Sequence, residues 1–195
     1  MVNSYKVIEG AEIPNGCVLS KLVGVDKEYQ LTEGVSLLST FSKDAAFFMD
    51  PDFPNDTLLA DNLINKYRLF VASQRLKDFL EKYQPEYLEF LPVGIIDHRG
   101  KRIEEKYFIV HPINPLDCLD VEKCGAEYSL LDESEIDEVE SLVFDDSKMD
   151  HNRQIFRPKF FNWIILVHSD IAAAIDAEGF TGIRWIDSSE YSSNK

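Results

Sequence analysis

The sequence predicts an α+β fold, a mixed α/β arrangement in which a central sheet with short strand-helix-strand units is packed by a few helices. Two segments carry this prediction, because residues 68–90 and 163–186 each combine a β-prone run, a serine suited to a helix N-cap, a short helix and a second strand. Hydrophobic residues make up 45% of the chain and aromatic residues 12%, enough apolar surface for a folded core. We therefore expect residues 1–195 to form a single domain.

The first unit is expected to place a strand over Arg68 to Ala72 and a helix over Gln74 to Tyr83. Ser73 stands at the N-cap position, and Pro85 prevents a much longer helix. Apolar residues recur at helical spacing on one face of this helix, namely Leu76, Phe79, Leu80 and Tyr83. The unit therefore predicts a strand that leads directly into an amphipathic helix.

A β-hairpin is expected after this helix. The segments Tyr87 to Ile96 and Lys106 to Val110 are rich in β-branched and aromatic residues, and the turn-forming stretch Asp97 to Lys101 separates them.

The second unit repeats the pattern near the end of the sequence. Trp163 to Val167 is the most strand-like run, Ser169 is a candidate N-cap, and a helix is expected over Asp170 to Glu178 with Gly179 at its end. Gly182 to Ile186 should form the last strand. The central sheet should include the runs near Val71, Phe90, Ile109 and Val167. The expected core residues are Leu69, Val71, Leu76, Phe79, Leu80, Ile165, Val167, Ile171 and Ile175.

The charge balance narrows the classes of partner. Twenty Lys and Arg residues against 35 Asp and Glu residues give a formal net charge of −15, which repels nucleic acids and acidic membrane surfaces and favours a basic protein. The sequence shows no apolar run long enough to span a bilayer and no signal peptide at its start. We expect the three cysteines Cys17, Cys118 and Cys124 to be thiols, as in a cytoplasmic protein.

An acidic stretch is the strongest local bias, since no basic residue lies between Lys123 and Lys148. Clustered like charges repel, and an oppositely charged partner would relieve that cost. A solvated surface segment is the alternative interpretation. The candidate contact residues are this stretch and a basic, aromatic cluster after it: Asp132, Glu133, Glu135, Asp137, Glu138, Glu140, Asp145 and Asp146, with Arg157, Phe160 and Phe161.

Motifs that signal catalysis are missing. There is no G-x-S-x-G elbow, phosphate-binding glycine loop, H-E-x-x-H or C-x-x-C pair. His98, His111, His151 and His168 are too far apart in sequence for helical zinc spacing. We therefore assign no catalytic residue, no metal and no cofactor. An enzyme site built from carboxylates with His111, His168 or Tyr107, and a cytosolic adaptor module, stay open as alternatives.

Three motifs resemble a known family. They are Arg68-Leu-Phe-Val-Ala-Ser73 with the helix after it, Leu116-Asp-Cys-Leu-Asp120, and Ile155-Phe-Arg157 followed by Gly179-Phe-Thr-Gly-Ile-Arg184. In this order they resemble immunity-protein family eleven of bacterial polymorphic toxin systems, over about residues 68–186.

This resemblance implies an intracellular antitoxin that binds a cognate toxin domain and blocks it without catalysis. It also suggests a division of the single domain into a variable N-terminal part (1–65), a family-like core (66–187) and a polar tail (188–195). The partner would be a protein, without nucleic acid or membrane, and homo-oligomerisation stays open.

Overall fold

The computed structural model describes residues 4–83, 86–130 and 135–193. Over these residues the chain is mostly β-sheet with three helices, which confirms the α+β class. The helices are α1 (Gln30–Glu33), α2 (Gln74–Leu80) and α3 (Ser169–Ala177). None of the helices in these ranges has the length and apolar character needed to cross a membrane.

The strands vary from two to nine residues in length. In chain order they are β1 (Tyr5–Gly10), β2 (Val18–Val23), β3 (Ala46–Met49), β4 (Ile64–Asn65), β5 (Val71–Ser73), β6 (Leu88–Ile96), β7 (Tyr107–Pro112), β8 (Glu127–Tyr128), β9 (Ile136–Glu138), β10 (Ile155–Phe156), β11 (Leu166–His168) and β12 (Ile183–Asp187).

These strands form two larger sheets and one small ribbon. The six-stranded sheet has the order β4-β2-β3-β6-β7-β5, the four-stranded sheet β10-β11-β1-β12, and β8 pairs with β9. The prediction of one central sheet is therefore wrong. Val71, Phe90 and Ile109 lie in the six-stranded sheet, whereas Val167 lies in the four-stranded sheet, because β11 pairs with β1 and β10.

Local predictions are largely confirmed. β6 and β7 form the expected antiparallel hairpin, and the Asp97 carboxylate accepts hydrogen bonds from the backbone N–H groups of Arg99 and Lys101 in the turn. The Ser73 hydroxyl caps α2 by accepting from the Leu76 N–H at 3.2 Å. Helix α2 ends at Leu80, earlier than expected, because the next backbone bonds tighten into turns of the i to i+3 type.

The second unit differs from the prediction at its start. Of the expected strand Trp163 to Val167, only Leu166 and Val167 are extended, within β11, and Trp163 lies in a turn with 52% of its surface exposed. Helix α3 is capped by His168, whose Nδ1 accepts from the Asp170 N–H at 3.3 Å. Ser169, the predicted cap, lies inside the helix and donates instead to the Ser4 carbonyl. The last strand follows as predicted.

Helices α2 and α3 share one apolar core, although they belong to different units. Leu76 and Leu80 of α2 lie in the same buried cluster as Ile171 and Ile175 of α3, together with residues from both larger sheets. All nine predicted core residues are buried except Phe79, which is partly buried against this cluster. The two sheets are therefore held together by apolar contacts that both helices complete.

The segment just before the first unit also meets the second unit, at Asn62 and Gly182. The Asn62 N–H donates to the Thr181 carbonyl at 3.0 Å, and its side-chain amide donates to the Gly182 carbonyl at 3.1 Å. Gly182 has a φ of +77°, and a Cβ at this position would lie 2.2 Å from the Asn62 carbonyl oxygen. Only glycine allows this approach.

Asp61 reinforces the same junction. Its carboxylate accepts from the Ser73 hydroxyl at 2.8 Å and from the Thr181 N–H at 3.0 Å, and it forms an ion pair with Arg75 at 3.2 Å. The Arg75 guanidinium lies 4.1 Å from the centre of the Phe180 ring. One carboxylate thus connects the start of α2 with the Gly179 to Arg184 segment.

Substituting Gly182→Ala should lower the free energy of unfolding by about 3 kcal/mol, because the new Cβ collides with backbone and the residue must hold a positive φ. Gly100→Ala is the matched control, since Gly100 also has a φ of +77° but open space around its Cβ. It should cost only about 1 kcal/mol. Urea unfolding of both variants measures the difference, and equal losses would contradict the proposed packing role of Gly182.

Candidate partner-binding surface

Part of the acidic stretch folds into a small two-stranded element. We call residues 127–130 and 135–140, which contain β8 and β9, the acidic ribbon. The side chains of Glu127, Asp137, Glu138 and Glu140 are exposed on it. Glu127 and Glu138 are directly opposite each other in the strand pairing, an arrangement in which like charges destabilise the sheet. The ribbon therefore concentrates negative charge at a local electrostatic cost.

The base of the acidic ribbon is anchored in the core. Ile136 and Val139 are fully buried in a cluster with Cys118 and Cys124. The Ile136 N–H donates to the Phe160 carbonyl at 2.7 Å, and the Glu140 N–H donates to the Cys124 carbonyl at 3.0 Å. Ile136 and Val139 thus point inward, and the two carboxylates between them, Asp137 and Glu138, are exposed. The charged surface is held by a packed scaffold.

Most of the described carboxylates of the ribbon form no ion pair. Within residues 4–83, 86–130 and 135–193, no ion pair involves Glu127, Asp137, Glu138 or Glu140. Asp145, by contrast, lies 3.9 Å from the Lys148 ammonium. Hydrogen bonds from Ser147 hold the pKa of the Asp145 carboxyl below its usual range.

The remaining predicted acidic positions are not equivalent. Glu135 is half-buried at the start of β9, and Asp146 is exposed beside Asp145. Asp132 and Glu133 lie outside the described residues. The structure thus brings Glu135, Asp137, Glu138 and Glu140 together on the acidic ribbon, with Asp145 and Asp146 on the loop that follows it.

Exposed apolar side chains accompany this charge. Leu130 is 99% exposed and Tyr128 is 49% exposed on the ribbon itself. Trp163 lies beside it, and its indole N–H donates to the Ile136 carbonyl at 3.4 Å. Aromatic residues with part of their surface free are typical of binding hot spots. Sequence reasoning did not select Tyr128, Leu130 or Trp163, and Trp163 was assigned to a strand.

Arg157 and Phe161, two of the predicted contact residues, are instead interior. Arg157 is 2% exposed and donates to the Asn162 carbonyl at 2.6 Å and to the Leu31 carbonyl at 3.3 Å. Burial lowers the pKa of its guanidinium to about 10. Phe161 is 1% exposed and packs beside Tyr191. Burial removes both side chains from the candidate surface, because each contacts the protein's own interior.

Phe160 lies between these buried neighbours and solvent. It is half-buried, has a φ of +70°, and the Lys159 ammonium lies 4.8 Å from the centre of its ring. Phe160 is therefore the one member of the basic, aromatic cluster with side-chain surface available beside the ribbon.

A polar cluster lies inside the molecule around the segment 31–37. Glu89 is buried and accepts from the Leu37 N–H at 2.8 Å, and His111 stands opposite it in the β6–β7 pairing. The His111 Nε2–H donates to the Val35 carbonyl at 2.7 Å. Burial lowers the pKa of His111, and the nearby Arg157 charge lowers it further. The cluster fastens the loop after α1 to the hairpin.

The side chains named in the enzyme hypothesis all contact backbone groups of the fold. The Tyr107 hydroxyl donates to the Ala60 carbonyl at 2.8 Å, and burial raises its pKa. His111 binds Val35, and His168 caps α3. Over the part of the chain that the structure describes, no group of three or more His, Cys, Asp or Glu side chains is arranged to hold a metal ion.

The motifs of the family resemblance also have structural explanations. The Leu116 N–H donates to the Arg157 carbonyl at 2.9 Å, and the Lys159 N–H donates back to the Leu116 carbonyl at 2.8 Å. The Leu-Asp-x-Leu-Asp and Ile-Phe-Arg motifs are thereby paired along the backbone. The third motif supplies Thr181 and Gly182 to the junction with Asn62.

Comparison with known families agrees with this pattern. A model of the immunity protein family Imm11 matches residues 17–190. The chain belongs to the Imm11 immunity protein family. The match begins well before Arg68, so this Imm11 protein shares with its family most of the N-terminal part as well as the segment that holds the three motifs. No curated protein matches the chain.

Arg157→Ala should lower the free energy of unfolding by about 3 kcal/mol, because two buried carbonyls lose their donor and a cavity opens. Arg99→Ala, in the exposed hairpin turn, is the control and should change it by less than about 0.5 kcal/mol. Chemical denaturation of both variants tests this. An Arg157→Ala protein as stable as the wild type would restore Arg157 as a candidate for direct contact.

His111 should make stability depend on pH. Because burial lowers its pKa in the fold, the unfolded chain takes up a proton that the folded chain does not as the pH falls below about 6.5. Stability should then fall by up to about 1.4 kcal/mol per pH unit until the folded-state pKa is reached. His111→Gln keeps a donor for Val35 without this titration. The free energy of unfolding is measured for both proteins between pH 7.5 and 5.5. An equal change with pH in both would contradict the role of His111.

Proposed function

We propose that this Imm11 protein binds a cognate bacterial toxin domain and neutralises it by occupying its surface, without catalysis. The match to the immunity family over residues 17–190 is the observation that carries the proposal. A protein of this role needs a complementary surface rather than a reactive centre. The exposed carboxylates and apolar side chains of the acidic ribbon provide such a surface.

The acidic ribbon is the proposed contact site. Its carboxylates repel one another in the free protein, so a basic partner gains attraction and also removes an existing repulsion. Tyr128 and Leu130 add apolar surface that a partner can bury. The expected partner surface is therefore basic at its rim with an apolar patch near its centre.

The net charge of −15 supports the same interpretation. A strong field of one sign speeds the encounter with an oppositely charged protein, and fast association is valuable when a toxin must be captured before it acts. We place this encounter in the cytoplasm. Three buried cysteines that remain free thiols suit that reducing compartment.

Two linked experiments test the function. The tagged protein is purified from its native cells at modest salt, and co-eluting proteins are identified by mass spectrometry. The recovered partner domain is then expressed in a sensitive host with or without this protein. We expect one stoichiometric partner whose expression stops growth and whose toxicity this protein suppresses. A partner that is harmless when expressed alone would contradict the immunity role.

Reversing Asp137, Glu138 and Glu140 to Lys should slow association with that toxin at least tenfold at low salt, since the local attraction becomes repulsion. The control reverses Asp26, Glu28 and Glu104, which are exposed outside the ribbon. Each triple variant changes the formal charge by +6, from −15 to −9. Stopped-flow association at low and high salt compares them. Equal slowing in both variants would assign the effect to total charge and exclude the ribbon as the contact site.

A further inference from the structure

A cleft of about 640 Å³ lies beside the acidic ribbon. Its walls are β1, the segment 62–70, the segment 163–165 and the C-terminal segment 190–193, and we call it the Arg68 cleft. Two of these walls are fastened to the ribbon, because Trp163 donates to the Ile136 carbonyl and Ser193 exchanges hydrogen bonds with the Val139 backbone at 2.6 and 3.0 Å. The cleft and the ribbon therefore form one continuous surface.

The turn that carries Arg68 is rigidly built. The buried Asn65 side-chain amide donates to the Leu63 carbonyl at 3.1 Å and to the Leu69 carbonyl at 2.7 Å. Its oxygen accepts from the Tyr67 N–H at 3.2 Å and from the Leu69 N–H at 3.0 Å. Arg68 lies within this turn with a φ of +54°, an uncommon conformation for a residue other than glycine. The fold thus fixes the position from which an exposed guanidinium extends.

Among the described residues, Arg68 has no carboxylate partner. No ion pair of Arg68 occurs in the described ranges, whereas Arg184, the other arginine that lines the cleft, is paired with Glu9. This is notable in a chain with 35 acidic residues, where an exposed arginine has many potential partners. The unpaired charge is available to a group from outside the chain.

An apolar wall lies across the same cleft. Trp163, which is 52% exposed, lines the cleft, and Ile164 and Leu69 continue the apolar lining. Tyr191 adds a phenol group, and burial raises its pKa so that it stays a neutral hydrogen-bonding group. The cleft is thus lined by Arg68, by the Glu190 carboxylate, by a neutral phenol and by the exposed indole of Trp163. Arginine, tyrosine and tryptophan are the residue types enriched in binding hot spots.

We propose that the Arg68 cleft receives an extended segment of the toxin that carries a carboxylate next to an apolar side chain. Arg68 pairs with the carboxylate, and Trp163 covers the apolar group. The identity of the partner rests on the proposed function, but the chemistry of the segment rests on the cleft alone. The partner surface is thus basic against the ribbon and acidic at one point beside it.

The test uses Trp163 as its own reporter. Trp185→Phe leaves Trp163 as the single tryptophan, so its fluorescence reports occupation of the cleft. The probes are the peptides acetyl-Glu-Leu-Phe-Glu-amide and acetyl-Lys-Leu-Phe-Lys-amide. The overall charge of −15 favours the lysine peptide at every site except one governed by a local cation. Tighter binding of the glutamate peptide is therefore diagnostic, and we expect a saturable change in Trp163 emission with that peptide.

Arg68→Asn is the decisive variant, because asparagine tolerates the positive φ and removes the guanidinium with its charge. It should weaken binding of the glutamate peptide about tenfold, the effect of losing one charge-assisted contact. Arg99→Asn changes the net charge equally from an exposed turn and should leave binding unchanged. Preference for the lysine peptide, or equal effects of Arg68→Asn and Arg99→Asn, would overturn the proposal.

Binding of the toxin to the two variants tests the role of the cleft separately from the immunity role. A toxin neutralised by the wild type and bound about tenfold more weakly by Arg68→Asn than by Arg99→Asn supports the cleft as part of the contact. Equal binding by both variants removes the cleft from the contact and leaves the immunity role intact. Sedimentation of the wild-type protein tests whether a second copy of the chain occupies the cleft instead. A dimer that Arg68→Asn dissociates would show that a second copy fills the cleft.

Discussion

The close approach of Asn62 and Gly182 is the constraint on which the arrangement of the two sheets depends. Gly182 lies just before β12, the last strand of the four-stranded sheet, and Asn62 lies just before the strands that lead into α2. Because the Asn62 amide binds Val71 on one side and Gly182 on the other, a single side chain fixes the spacing between the two units. A residue with a Cβ at position 182 would push them apart. The core shared by α2 and α3 would then lose its close packing.

The same constraint reaches the functional surface. The strand that starts after Gly182 pairs with β1, and both line the floor of the Arg68 cleft. The C-terminal segment continues from that strand and ends on the acidic ribbon through Ser193 and Val139. The buried contact between Asn62 and Gly182 thus helps to position the exposed Arg68 cleft, through β12 and the C-terminal segment that follows it.

Features decided by near neighbours could be predicted from the sequence. Ser73 caps α2 because its hydroxyl and the Leu76 N–H are three residues apart, and the Asp97 turn closes the hairpin in the same local way. Strand partners could not be predicted, since β1 pairs with strands more than 150 residues away. Hydrophobic alternation identifies the buried face of a strand but carries no information about which strand lies beside it.

The candidate site shows the same division between features set by near neighbours and features set by long-range packing. The acidic stretch was found from charge alone, but the acidic ribbon exists because Ile136 and Val139 are buried over Cys124, a long-range packing effect. Arg157 was misplaced because arginine is rarely buried without an acidic partner. Here the carbonyls of Leu31 and Asn162 satisfy it instead. Nothing in the local sequence distinguishes that arrangement from an exposed arginine.

The mixed charge of the proposed contact surface has a consequence for specificity. The motif residues that pair along the backbone or fill the core support the fold whatever the surface carries, whereas Arg68, which begins the first motif, is exposed. The proposed contact surface places the negative ribbon beside Arg68, which has no ion pair among the described residues. A uniformly basic partner would satisfy the ribbon but bring like charge against Arg68, at a cost in binding free energy. A surface of mixed sign therefore rejects generic basic proteins, which a uniformly acidic surface would attract, and reserves tight binding for a partner with one matching carboxylate.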